Sequence, residues 1–92
     1  MDITDRFREE MLACLDAKID RYIIDLSAVN IMNSTAIGVL LLARDRLLKM
    51  NGKLVICGLQ SLMSEVFYRM QLQSFFTVTQ TLEEAREIIE EV

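Results

Sequence analysis

DLSAVNIMNSTAIGVLLLA, residues 25–43, is the stretch that decides the fold. It reads as the end of a strand, a short apolar loop, and Asn-Ser-Thr opening a helix. Asn33 suits the N-cap, because its side-chain oxygen can accept from the unpaired amides of the first turn. Ser34 and Thr35 then occupy the first two helical positions. The helix is expected over Ser34–Met50. Its first two turns are apolar on most sides, which predicts a buried start, and Arg44, Asp45, Arg46 and Lys49 make the rest amphipathic. Asn51-Gly52 ends it, since either residue tolerates the left-handed cap conformation. The loop 27–33 carries Val29, Ile31 and Met32 and is expected to pack inward. Gly38 inside the helix predicts a close approach of neighbouring atoms.

Working outward from this stretch, the chain alternates. Thr4–Lys18 reads as a helix capped by Thr4, with Phe7, Met11, Leu12, Leu15 and Ile19 in one stripe. Arg21–Leu26 (RYIIDL) and Lys53–Cys57 (KLVIC) are short apolar runs of the kind found in strands covered on both faces. Ser61–Met70 is a helix with Leu62, Met63, Val66, Phe67 and Met70 on one face. Phe75–Thr79 (FFTVT) reads as a third strand. Thr81–Val92 is the last helix, opened by the T-x-x-E capping box of Thr81 and Glu84. Its acidic residues Glu83, Glu84, Glu87, Glu90 and Glu91 read as a solvated face. Strands alternating with helices imply parallel pairing and right-handed crossovers, so the expected class is an α/β layer fold with about four helices. The 92 residues make one domain, 1–92.

Composition narrows the function. The chain is 52% hydrophobic and 26% charged, as a globular domain is, and its net charge is −4. A mildly acidic chain without a basic cluster gives no electrostatic basis for binding nucleic acid or an anionic membrane. Histidine is absent, which removes Ser-His-Asp and Cys-His nucleophilic sites and phosphohistidine carriers. The two cysteines, Cys14 and Cys57, stand far apart in apolar surroundings and read as reduced core residues; without histidine they make a poor metal site. No cofactor or metal is expected. There is no G-x-G-x-x-G and no G-x-x-x-x-G-K-S/T, which argues against a nucleotide-binding enzyme. A receiver domain has a similar layout but needs an acidic pair after its first strand, and Asp25 stands alone within one. The start carries no signal-peptide pattern, and the longest apolar run, Val39–Ala43, is far too short to span a bilayer. A cytoplasmic protein working by binding, and not an enzyme, is the expectation.

Ser34 and Thr35 are the residues whose chemistry stands out. A phosphate at the start of a helix is stabilised by unpaired amides and the positive end of the dipole. It also brings a charge of about −1.5 to −2 to a surface that was neutral. In a docking surface, such a charge opposes binding, which makes a switch.

The stretch DLSAVNIMNSTAIGVLLLARDRLLKMNGKLVICGL resembles the STAS-domain signature. There a strand ending in an Asp-Leu-Ser-like triplet leads to an Asp-Ser-Ser-Gly or Asp-Ser-Thr-Gly turn, an apolar helix, a Gly-Gly-Lys-like turn and an apolar strand. SLMSEVFYRMQLQSFFTVTQTLEEA is similar to the same family's third helix, its following Phe-containing strand and its closing helix. The resemblance runs from Ile3 onward. It implies a cytoplasmic anti-sigma-factor antagonist. Its partner is an anti-sigma factor that is also a serine kinase of the histidine-kinase ATPase type. The kinase phosphorylates the first serine of the turn, and a PP2C-like phosphatase resets it. Ser34 matches that serine and Thr35 the second hydroxyl position. The surface that would meet the partner runs through Asn30, Met32, Asn33, Ser34, Thr35, Ala36 and Gly38. Such domains also serve as adaptor subunits of lipid-transport ABC systems and in stress-sensing scaffolds, without phosphorylation.

The chain departs from the pattern in three places. Asn33 replaces the usual Asp, keeping the capping oxygen but losing the charge. Ala36 replaces the usual Gly. Of the two strands with which the family begins, Met1–Ile3 could supply only the end of the second, so either the start is incomplete or a partner chain covers the exposed sheet edge, and a homodimer with swapped or mutually covering elements is expected.

Overall fold

The structure, a computed structural model, describes residues 8–13 and 19–90. The chain divides into two compact units, one within residues 1–20 and 32–53 and the other within 21–31 and 54–92. The elements are helical residues 8–13 (α1), β1 (Arg21–Asp25), α2 (Ser34–Lys49), β2 (Lys53–Cys57), α3 (Ser61–Arg69), a 3-10 turn at Leu72–Ser74, β3 (Thr77–Thr79) and α4 (Leu82–Glu90). The strands form a parallel sheet in the order β1-β2-β3, so the α/β class with four helices is confirmed. Between β2 and β3 the register pairs Val55 with Thr77, Ile56 with Val78 and Cys57 with Thr79. Thr4, Phe7, Cys14, Leu15 and Val92 lie outside the described residues.

In the first unit, Met11 of α1 is buried, and α2 turns Ala36, Ile37, Val39, Leu40, Ala43 and Leu47 inward. Asn33 is the N-cap, extended at φ −78° and ψ 172°, and its Oδ1 accepts from the Ala36 amide at 2.9 Å. At the other end, the left-handed residue is Asn51 (φ 58°). Its amide donates to Leu48 O at 3.2 Å, and the Gly52 amide donates to Leu47 O at 2.7 Å. These are the two bonds of a Schellman motif. Gly52 serves another need: a Cβ there would lie 2.5 Å from the backbone oxygen of Asp20.

In the second unit, Val55, Cys57 and Ala85 form a core cluster, with Ile23, Ile88 and Ile89 packed against it. Tyr22, Ile24 and Leu26 are buried, as the RYIIDL run predicts. On α3, Met63 and Phe67 are buried, and the Phe67 and Phe76 rings meet at 6.1 Å between centroids, tilted by 44°. A pair of that geometry adds about 0.5–1.5 kcal/mol beyond its buried area. The capping box at α4 forms in part: Thr81 Oγ1 accepts from the Glu84 amide at 3.2 Å and donates to Glu84 Oε1 at 3.1 Å.

Four expectations need correction. Phe75 and Phe76 are not in β3. The amides of both donate to Leu72 O, at 2.9 and 3.2 Å, and this local bonding takes them out of the ladder. Ile31 does not pack inward; it is 57% exposed. Gly38 marks no close packing, because nothing lies within 4 Å of where its Cβ would stand. The apolar stripes were drawn too wide: Leu62 and Met70 on the edge of α3, and Ile19 outside α1, are exposed.

Candidate functional site

The opening of α2 follows from its sequence. With Asn33 as cap, Ser34 and Thr35 occupy the first two helical positions, and both are exposed. The Asn33 oxygen is taken by the third helical amide, that of Ala36. The amides of Ser34 and Thr35 belong to the first turn, whose N–H groups have no intrahelical carbonyl to meet them. No acidic side chain occupies this first turn, so the positive end of the helix dipole is not offset there.

Below the two hydroxyls the exposed face continues through Gly38, Leu41, Leu42 and Asp45 to Leu48 and Lys49. Leu41, Leu42 and Leu48 are exposed by 36%, 41% and 55%, which gives the helix an apolar outer stripe. Asp45 and Lys49 cross it as an ion pair of 3.4 Å, one turn apart and well exposed, a contact contributing only a few tenths of a kcal/mol. Sequence reasoning missed these leucines. A helix apolar on most sides reads as buried, and only the packing tells which side stays outside.

The other expected site residues fall in different surroundings. Met32 is half-buried and Ala36 is buried, so the Ala36 methyl offers nothing to a partner; Gly38 is exposed. These residues and Asn33–Thr35 belong to the first unit. Asn30 is exposed in the loop of the second unit, next to the exposed Ile31.

The start of that loop is a built turn. Asp25 Oδ1 accepts from the Ser27 amide at 2.9 Å, Val29 N–H donates to Leu26 O at 3.0 Å, and Gln60 Nε2 donates to Ser27 O at 2.6 Å. Hydrogen bonding from the Ser27 amide, and then from the Ser27 side chain, holds the Asp25 carboxyl below the usual carboxylate range. Gly58 sits against this turn with φ +73°, and a Cβ there would stand 3.0 Å from both Asp25 Oδ1 and Ser27 Cβ. The Asp-Leu-Ser triplet thus has a physical meaning: a side-chain-closed turn, an inward leucine, and a hydroxyl residue against a glycine. Cys57, beside it, is buried and free; burial, helped by the Asp25 charge, pushes its thiol up. Among the described residues no group of three or more acidic or cysteine side chains is placed to hold a metal ion, and no helix is long and apolar enough to cross a membrane.

The comparisons with known proteins agree with this architecture. The crystal structure of "a putative anti-sigma factor antagonist (tm1081)" from Thermotoga maritima superposes with a TM-score of 0.84 at 16% identity, over 95% of this chain and 78% of that one. The NMR structure of the protein TM1081 gives 0.83 at 17% identity, over 97% and 72%. Identities this low speak for the fold alone. No curated protein matches the sequence. The sequence model of the STAS domain matches residues 3–85, nearly the whole chain, and the chain therefore belongs to the STAS domain family.

Proposed function

We propose that the chain is an anti-sigma-factor antagonist of the cytoplasm that works by reversible protein binding and not by catalysis. Its partner is an anti-sigma factor that is also a serine kinase of the histidine-kinase ATPase type. The kinase phosphorylates Ser34, with Thr35 the second choice, and a PP2C-like phosphatase restores the binding state. The observation that carries the reading is the outer face of α2, where exposed hydroxyls at the amide-rich start lead into an exposed apolar stripe. An apolar stripe of this kind is suited to a protein partner. A dianion at its head is held locally by the helix start but must be desolvated when the partner docks. Membership of the STAS family and the fold shared with TM1081 support the same reading.

The test is binding of a candidate anti-sigma kinase to the wild-type chain, Ser34→Asp and Ser34→Ala, with mass spectrometry of the chain after incubation with the kinase and ATP. Ser34→Asp is expected to weaken binding by about 2 kcal/mol or more, roughly thirtyfold, and Ser34→Ala to bind as the wild type does. Equal affinity for both variants, with no phosphate on Ser34, removes the switch. That result would favour an adaptor subunit of a lipid-transport ABC system or a stress-sensing scaffold. The uncharged Asn33 at the cap is the observation on that side.

A further inference from the structure

Asn51-Gly52 closes the C-terminal end of α2, and by its chemistry it is also a reactive pair. The side-chain carbon Cγ of an asparagine is open to attack by the backbone nitrogen of the next residue, and a side chain on that residue hinders the attack. Of the three asparagines, Asn30 is followed by Ile31, Asn33 by Ser34, and only Asn51 by a glycine. Asn33 is further restrained, because its Oδ1 accepts from the Ala36 amide. The fold keeps the reactive pair in place. A Cβ at position 52 would stand 2.5 Å from Asp20 O and 3.0 Å from Leu47 Cδ2, so no bulkier neighbour fits beside Asn51.

The same fold ties down the attacking nitrogen. Gly52 N–H donates to Leu47 O at 2.7 Å, Asn51 N–H to Leu48 O at 3.2 Å, and Lys53 N–H to Asp20 O at 2.7 Å. A nitrogen whose proton is held by a carbonyl is harder to deprotonate. Turning the Asn51–Gly52 peptide towards the side chain also means giving up the bond to Leu47 O. Asn51 itself is exposed, so base and water reach its side chain and ammonia can leave. The reacting carbon is thus open and the nucleophile is closed. Helix ends open at much lower cost than cores do, so the closed half is the gate.

We propose that Asn51 is a site of spontaneous deamidation, gated by the opening of the α2 cap. In the opened cap the Gly52 nitrogen gives its proton to hydroxide and forms a bond to Asn51 Cγ. The Cγ–Nδ2 bond breaks, and the nitrogen takes a proton back from water and departs as ammonia, leaving a five-membered succinimide. Water then opens the ring at either carbonyl. One product is aspartate at position 51. The other is isoaspartate, in which the main chain runs through the former side chain. The aspartate keeps the backbone, and its charge lies just beyond a last turn that contains Arg46 and Lys49. The isoaspartate lengthens the main chain by one carbon, so the amides at 51 and 52 no longer meet Leu48 O and Leu47 O together. The cap cannot close again, and openings of this helix end leave a covalent record. The step makes no use of Ser34 and stands apart from the partner reading.

The experiment is incubation of the whole chain at mildly alkaline pH, folded and in guanidinium chloride, with peptide mapping by mass spectrometry over time. Hydrogen exchange of the Gly52 amide is followed in the same folded sample. Asn51 is expected to convert before Asn30 and Asn33, and to convert about tenfold or more slowly in the folded chain than in the unfolded one. The slowing is expected to match the protection of the Gly52 amide. Asn51→Gly is expected to accumulate no acidic species on ion exchange over the same period. The isolated isoaspartyl form is expected to melt below Asn51→Asp, which melts near the wild type. Equal rates in the folded and unfolded chain, or conversion unrelated to Gly52 protection, removes the gate. Earlier conversion at Asn30 or Asn33, or acidic species formed as fast by Asn51→Gly, overturns the site. An isoaspartyl form that melts with Asn51→Asp overturns the loss of the cap.

Discussion

Asn51 and Gly52 divide between them what a single glycine does at many helix ends. Asn51 takes the left-handed conformation, which its short polar side chain tolerates better than most residues do. Gly52 takes the crowded place against the Asp20 carbonyl, where a backbone atom and not a yielding side chain blocks a methyl group. The two substitutions should therefore differ in sign. Gly52→Ala is expected to destabilise the chain by about 1–3 kcal/mol, the usual range for overpacking. Asn51→Gly relieves the left-handed strain and is expected to be neutral or stabilising by up to about 1 kcal/mol. Urea denaturation of the two variants measures both, and equal midpoints would mean that the close approach at Asp20 is not felt.

At the scale of the element, α2 is bounded by two asparagines, one accepting at the N-cap and one turning the chain at the C-terminal end. Asn33→Ala removes the acceptor for the Ala36 amide and is expected to cost about 1 kcal/mol. Asn33→Asp keeps the acceptor and adds a charge favoured by the helix dipole, so it is expected to match or exceed the wild type by about 0.3–1 kcal/mol. Thermal melts at low ionic strength separate the three chains. Both ends of this helix were legible in the sequence because capping is local: the groups that meet lie within a few residues. Ser34 and Thr35 were legible for the same reason. β3 was misread at its start because Phe75 and Phe76 look like strand residues, yet Leu72 O and the Phe67 ring claim them. Leu41 and Leu42 were missed as surface because periodicity gives the faces of a helix without saying how many of them the fold covers. The part played by Asp25 was hidden by distance, since Gly58, against which its turn closes, lies far along the chain.

Over the whole molecule, that turn couples stability to acid. The hydrogen bonds from Ser27 lower the Asp25 pKa in the folded chain, so the folded state binds fewer protons than the unfolded one through the acid range. This contribution is fully present at neutral pH and is lost as pH falls through the depressed value. Asp25→Asn keeps an oxygen for the Ser27 amide but cannot titrate. The loss of stability below about pH 4 is therefore expected to be shallower in the variant, as followed by urea midpoints across pH. Parallel slopes would place the acid sensitivity elsewhere. The distribution of aromatic residues has an optical consequence. The chain has no tryptophan and only two tyrosines, and these stand in opposite surroundings: Tyr22 is buried beside β2, and Tyr68 on α3 is 74% exposed. With no indole to drain the excitation, the near-ultraviolet emission is the sum of a shielded phenol and an open one. A dissolved quencher darkens only the second, so the unlabelled chain carries its own lamp for α3 and its own reference in the core.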